Sequence, residues 1–157
     1  MLKKVSRTRN RTHATGTRFA IVASTYNRRF VDGMVRAAQT ELKRAGAAEV
    51  RVVRVPGAFE IPVVAAALAR DAAPRYSAVI CLGVILRGAT HHAQTICDAI
   101  TQSLAKTAVA TGVPVIHEVL MVENTTQAKE RCLDPKHNRG LEAAQTAVEM
   151  VRVMREL

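Results

Sequence analysis

The stretch Val79-Ile-Cys-Leu-Gly-Val-Ile-Leu-Arg-Gly-Ala-Thr-His-His92 passes from an unbroken apolar run straight into Arg87, Gly88, Thr90 and two histidines. A short run with no polar alternation reads as a strand buried on both faces, the habit of parallel sheets. Its polar continuation then falls at the carboxyl end of the strand, where ligands of open α/β folds bind. Gly88 allows a tight turn, and the first N–H groups of a following helix lack partners and carry positive partial charge. Together they suit a phosphate or another oxyanion. His91 and His92 are predicted in the first helical turn beside that anion.

Outward from this junction, short apolar runs alternate with amphipathic ones. Phe19–Ala23 reads as a first strand, and Phe30, Met34, Ala37, Ala38, Leu42 and Ala45 recur at helical spacing up to Gly46. Val50–Val55 reads as a second strand, ended by Pro56-Gly57. A helix over about 61–71 opens with Pro62 in its first turn, where a missing N–H costs nothing. The third strand is placed at Ala78–Gly83 and a long helix at Gln94–Ala110, stopped by Gly112. Val113–Ile116 reads as a fourth strand that begins abruptly or lies near an edge, because Pro114 cannot donate to a ladder. Helices over about 126–132 and 141–155 complete the chain. This order implies one α/β domain, a parallel sheet between helical layers joined by right-handed crossovers.

The chain has 157 residues, 48% of them hydrophobic, enough for a single core. No apolar stretch is long enough to span a membrane, and Met-Leu-Lys-Lys-Val-Ser-Arg lacks the apolar centre of a signal peptide, so a cytoplasmic protein is expected. Cys81, Cys97 and Cys132 are odd in number and show no Cys-x-x-Cys spacing, which argues against disulfides and structural zinc. The net charge of +10 invites a nucleic-acid reading. Its location decides otherwise: Lys3, Lys4, Arg7, Arg9, Arg11 and Arg18 carry no acid among them, and no aromatic residues interleave to stack bases. Residues 1–17 are read as a basic, disordered, solubilising tail, and residues 18–157 as the domain.

In a parallel sheet the loops after all strands open on one end, so residues distant in sequence can converge there. The first loop offers Tyr26 and Asn27, the second Gly57 to Glu60, the third Arg87 to His92. The fourth is expected to offer His117, Glu118, Glu123 and Asn124. Only 3% of the chain is aromatic, so Tyr26 and Phe59 at strand ends are notable. Such rings can stack on a flat heterocycle, although Phe59 capping the core is an equal alternative. Glu60 can accept hydrogen bonds from a ligand or cap the helix that follows it.

The segments Val55-Pro-Gly-Ala-Phe-Glu-Ile-Pro62 and Leu82-Gly-Val-Ile-Leu-Arg-Gly-Ala-Thr-His-His92 resemble those of lumazine synthases, over about residues 18–155. Ser24-Thr-Tyr-Asn27, Thr111-Gly-Val-Pro-Val115, Glu123-Asn-Thr-Thr-Gln-Ala128 and Asn138-Arg-Gly-Leu-Glu-Ala-Ala144 follow in the family's order. The resemblance implies a flavodoxin-like three-layer sandwich with a four-stranded parallel sheet, oligomeric in use. It implies condensation of 5-amino-6-(ribitylamino)uracil with 3,4-dihydroxy-2-butanone 4-phosphate, a step of riboflavin biosynthesis that needs neither metal nor organic cofactor. On this reading Tyr26 stacks on the pyrimidine, while Ala58, Phe59 and Glu60 meet the ribityl chain. The backbone of Val84, Ile85 and Leu86 reads the heterocycle edge. Ala89 and Thr90 hold the phosphate with Arg131 as cationic partner, and His92 transfers protons.

The resemblance further implies pentamers, in some members closed into an icosahedral shell, with His117 and Arg131 reaching a neighbour's site. Riboflavin synthase is a candidate partner; membranes and nucleic acid are not. The chain departs from the family pattern at Ala93 and Gln94, where an aromatic and an acid commonly follow the histidine. It departs again at His117, commonly Phe. Two rivals stay open: a low-activity paralogue that binds flavin or phosphoribityl compounds, and a shell-forming protein.

Overall fold

Alternate residues of the first strand point into two different cores, and this makes the architecture. In the computed structural model, which describes residues 3–6 and 14–157, β1 spans Arg18–Ser24. Phe19, Ile21 and Ala23 pack on one side against α1 (Arg28–Arg44) and α5 (Arg139–Arg155). Ala20 and Val22 pack on the other against α2 (Ile61–Asp71) and α3 (His92–Thr111). With β2 (Glu49–Val55), β3 (Ala78–Leu86) and β4 (Val115–Val122) the sheet is parallel throughout, in the order β2-β1-β3-β4. The result is the three-layer α/β sandwich expected from the alternation of elements. Helix α4 (Thr125–Cys132) packs through buried Ala128 and Cys132 into the α1–α5 core.

The chain leaves β1 toward β2 and returns to place β3 on β1's other side. The strand order therefore reverses between β1 and β3, the place where such sheets open a crevice at their carboxyl ends. Asn27 stands at this point in the left-handed conformation (φ 56°), which Asn tolerates better than most residues. Its Nδ2 donates to the Val84 carbonyl (2.7 Å), tying the end of β1 to that of β3.

Two expected boundaries move. β3 runs on to Leu86 rather than stopping at Gly83, because Gly83 lies in the tightest part of the sheet. A Cβ there would meet Val119 at 3.2 Å and Ser24 Oγ at 3.3 Å. β4 begins at Val115, not Val113, and continues to Val122. Pro114 cannot donate, yet its carbonyl accepts the Val79 N–H (2.9 Å), and the ladder proper starts one residue later. His117 and Glu118 therefore lie inside the strand, opposite Cys81 and Leu82, and not in the loop after it. They fit there because β4 is an edge strand whose two faces are each only partly covered.

Ahead of β1, Ala14 and Thr17 are buried and Thr15 bridges to Ala47. Farther back, the Val5 N–H donates to the Lys136 carbonyl (2.8 Å) and Gln145 donates to the Ser6 carbonyl (2.8 Å). The expected tail residues Arg7, Arg9 and Arg11 lie outside the described residues. Among the described residues, no helix is long and apolar enough to cross a membrane.

Candidate active site

The ends of β1, β2 and β3 and the start of α3 enclose a cleft of about 500 Å³. The chain contains five Phe and Tyr and no Trp. Phe19, Phe30 and Tyr76 are buried, whereas Tyr26 is 75% and Phe59 60% exposed, and both exposed rings line this one cleft. Phe59 therefore does not cap the core. Two uncovered aromatic faces beside the Val84–Leu86 backbone form a slot for a planar group.

Glu60 lines the same cleft, and its Oε2 accepts the Gly57 N–H at 2.9 Å. This holds the carboxylate across the single 3-10 turn Ala58–Glu60 that precedes α2. Glu60 thus closes the turn ahead of α2 and makes no side-chain cap to α2 itself, while lining the cavity. Thr90, Gly88 and His92 line the opposite wall. α3 starts at His92 with His91 as its N-cap, so the N–H groups without intrahelical partners, the feature expected to meet an anion, belong to a turn whose His92 lines the cleft. Arg87 is not free to serve that anion: its Nη1 is paired with Glu123 Oε1 (2.9 Å).

Of the residues expected at the site, Tyr26, Ala58, Phe59, Glu60, Val84, Ile85, Leu86, Thr90 and His92 are brought together here. Ala89 belongs to the same loop without lining the cavity, and His117 and Arg131 lie elsewhere on the chain. Ile96 and Ala93 also line it and were not anticipated. Ile96 follows His92 by four residues, so helical spacing alone could have placed both on one face. No Lys or Arg is among the lining residues.

The two absent residues are held in distinctive ways. Arg131 Nε is buried and meets no acceptor among the described residues. The His117 Nδ1 accepts the Val119 N–H (3.1 Å) and its Nε2 is 2.8 Å from Thr101 Oγ1 on α3. Burial lowers the pKa of this imidazole. On the other face of β4, burial pushes the Glu118 carboxyl up to about 7, offset in part by Arg139 and reinforced by Glu142.

The profile of the family described as 6,7-dimethyl-8-ribityllumazine synthase matches residues 16–155. The chain belongs to the lumazine synthase family. It is 43% identical over 143 residues to the 6,7-dimethyl-8-ribityllumazine synthase of Kineococcus radiotolerans, covering 90% of this chain and 87% of that one. It is 39% identical over 152 residues to the enzyme of the same name from Syntrophus aciditrophicus, covering 96% and 97%. Both relatives carry the name of a synthase, which gives no support to a binding or shell-forming paralogue. Among the described residues the cleft gathers the aromatic and backbone groups expected of the site, without a Lys or Arg in its lining.

Proposed function

We propose that the protein is a 6,7-dimethyl-8-ribityllumazine synthase, a transferase of riboflavin biosynthesis, and that its chemistry takes place in the cleft at the ends of β1, β2 and β3. The observation that carries this reading is the convergence of both exposed aromatic rings, the β3 backbone and His92 on one cavity, in a chain that belongs to this family. The pyrimidine amine lies between Tyr26 and the Val84–Leu86 backbone, with its ribityl chain along Ala58, Phe59 and Glu60. The phosphorylated ketone takes its phosphate to Ala89 and Thr90.

The amine attacks the carbonyl to give a carbinolamine, and loss of water gives an imine. Loss of a proton beside the imine expels phosphate, the enol left behind rearranges to a ketone, and attack on that carbonyl by the ribitylamino nitrogen with loss of a second water closes the ring. His92, at the first position of α3, takes and returns protons in these steps. An imidazole has one nitrogen that accepts a proton and one that donates it, so a single ring serves both directions. Holding the two reactants in attack geometry can contribute up to ~7–11 kcal/mol, against roughly 10²–10⁴-fold from acid–base help, so positioning dominates.

Because no cation lines the cleft, the phosphate needs one from another copy. Arg131, a part-exposed cation in the last turn of α4 and the phosphate partner that the resemblance implies, is the donor we assign to that role, and the open side of the cavity leaves room for it. We therefore read the active form as a homo-oligomer, a pentamer or a multiple of pentamers, in which a neighbouring copy's Arg131 and His117 close the site. The reaction is assigned to the cytoplasm, in line with three free thiols. Mixing purified protein with the two substrates and following the lumazine fluorescence and phosphate release tests the assignment. Binding of either compound without turnover would overturn it.

A further inference from the structure

His117 stands where the family commonly has Phe, and in this chain its ring does something that a phenyl ring cannot. The Val119 N–H occupies the Nδ1 lone pair (3.1 Å), while the Thr101 hydroxyl donates to the Cys97 carbonyl (2.8 Å). With Nδ1 accepting, the neutral ring carries its hydrogen on Nε2 and donates it to the Thr101 oxygen at 2.8 Å, leaving the hydroxyl proton for the Cys97 side of the helix. One tautomer of the neutral ring satisfies every partner.

The bond joins edge strand β4 to α3, and α3 is weakly anchored. Of its twenty residues only Ala93, Ile100 and Leu104 are buried. Its first turn nonetheless lines the cleft with His92, Ala93 and Ile96. Thr101 lies nine residues beyond His92, about 13 Å along the helix axis. A tilt or slide of α3 over the sheet is resisted by few apolar contacts and by this polar tie. We propose that His117, as a neutral Nε2–H imidazole, is a positioning residue: through Thr101 it clamps α3 to β4 and sets where His92 stands in the cleft. The clamp acts within one chain. It uses the ring's nitrogens and leaves its faces unclaimed, so it is compatible with contact to a neighbour across the open groove that His117 borders. The proposal rests on the assignment of His92 as the proton carrier.

The test compares wild type, Thr101→Val, Thr101→Ser, His117→Phe and the Thr101→Val/His117→Phe double variant as full-length proteins. Steady-state kcat and KM are measured for both substrates. Losing one hydrogen bond's worth of alignment lowers kcat roughly three- to ten-fold in Thr101→Val and in His117→Phe, with KM little changed. The double variant falls no further than the lower single, and Thr101→Ser restores wild-type kcat. A His117→Phe protein with full kcat, or additive losses in the double variant, would overturn the clamp; a rise confined to KM for the pyrimidine would instead make His117 only a binding surface. Solid-state spectra of 15N-histidine protein supply a readout without substrate. Subtracting the His117→Phe spectrum from that of wild type leaves the signals of His117 alone, which are those of a neutral Nε2–H ring with a hydrogen-bonded Nδ1; a difference spectrum showing a charged ring or the Nδ1–H form also refutes the proposal. If wild type makes no lumazine but the locked ring is seen, the functional assignment fails while the clamp stands.

Discussion

Glu118 is the residue whose titration the fold should make visible. It sits on β4 facing α5, half-buried, near an Arg139 guanidinium that is already hydrogen-bonded to Glu142. Burial raises its carboxyl from an ordinary 4.5 to about 7. The sign follows from which state holds the proton: between these two values the native chain binds it and the unfolded chain has released it, so stability falls as pH rises through that window. The interval of about 2.5 pH units, at 1.36 kcal/mol each, sets an upper limit of about 3 kcal/mol. Water at the part-exposed edge of the sheet reduces the effect toward about 2 kcal/mol. Glu118→Gln keeps the shape and removes the titration. Urea unfolding of both proteins at one fixed concentration, from pH 4.5 to 8, isolates this group, because every other titrating residue is common to the pair. The wild type should lose about 2 kcal/mol relative to the variant across the window. Two curves that stay parallel over the whole range would refute the reasoning and would mean that Arg139 compensates the charge in full.

His92→Ala should lower kcat by roughly 10²–10³-fold while leaving measurable turnover, since alignment of the substrates survives the loss of the proton carrier; a product-fluorescence time course at saturating substrate reads this, and an unchanged rate removes His92 from the mechanism. Arg131→Ala should raise KM for the phosphorylated ketone roughly ten-fold or more, the worth of a charge-assisted hydrogen bond, and leave KM for the pyrimidine nearly unaltered. Equal changes in both constants would place Arg131 outside the phosphate site. Gly140→Ala should cost about 3 kcal/mol or more in unfolding stability, because the new Cβ would fall 2.0 Å from the Met34 carbonyl oxygen and force α5 away from α1. A urea midpoint within experimental scatter of wild type would contradict that close approach.

Much of this architecture could be read from the chain because a parallel sheet leaves two strong marks, strands apolar on every residue and helices with one apolar stripe. β3 shows the first mark, with seven successive buried residues from Ala78 to Val84. The loops at its carboxyl end must then converge, which is why Tyr26, Phe59, Glu60, Thr90 and His92 could be grouped without knowing the strand order. β4 escapes the same logic. As an edge strand it is buried only at Ile116, Val119 and Val122, and the polar pair His117–Glu118 at its centre resembles the start of a loop. Ending the strand too early moved two residues from the sheet's middle to its mouth and hid what each one faces: α3 for His117, α5 for Glu118.

Close backbone approaches were invisible for a different reason. Nothing in the residues around Gly33, or in the motif that holds Gly140, reports what lies across from them, yet a Cβ on either would strike backbone of another element, the Cys132 carbonyl at 2.5 Å and the Met34 carbonyl at 2.0 Å. Asn138 joins the two places. Its Oδ1 caps α5 by accepting the Gly140 N–H (2.8 Å), and its Nδ2 donates to the Cys132 carbonyl (2.6 Å). Arg131, one residue before that carbonyl, is carried on the same braced turn. The segment that would present a cation to a neighbour's phosphate is therefore held by close backbone approaches and by the buried Asn138 side chain, and a substitution at Gly33 or Gly140 should displace the donor as well as weaken the fold.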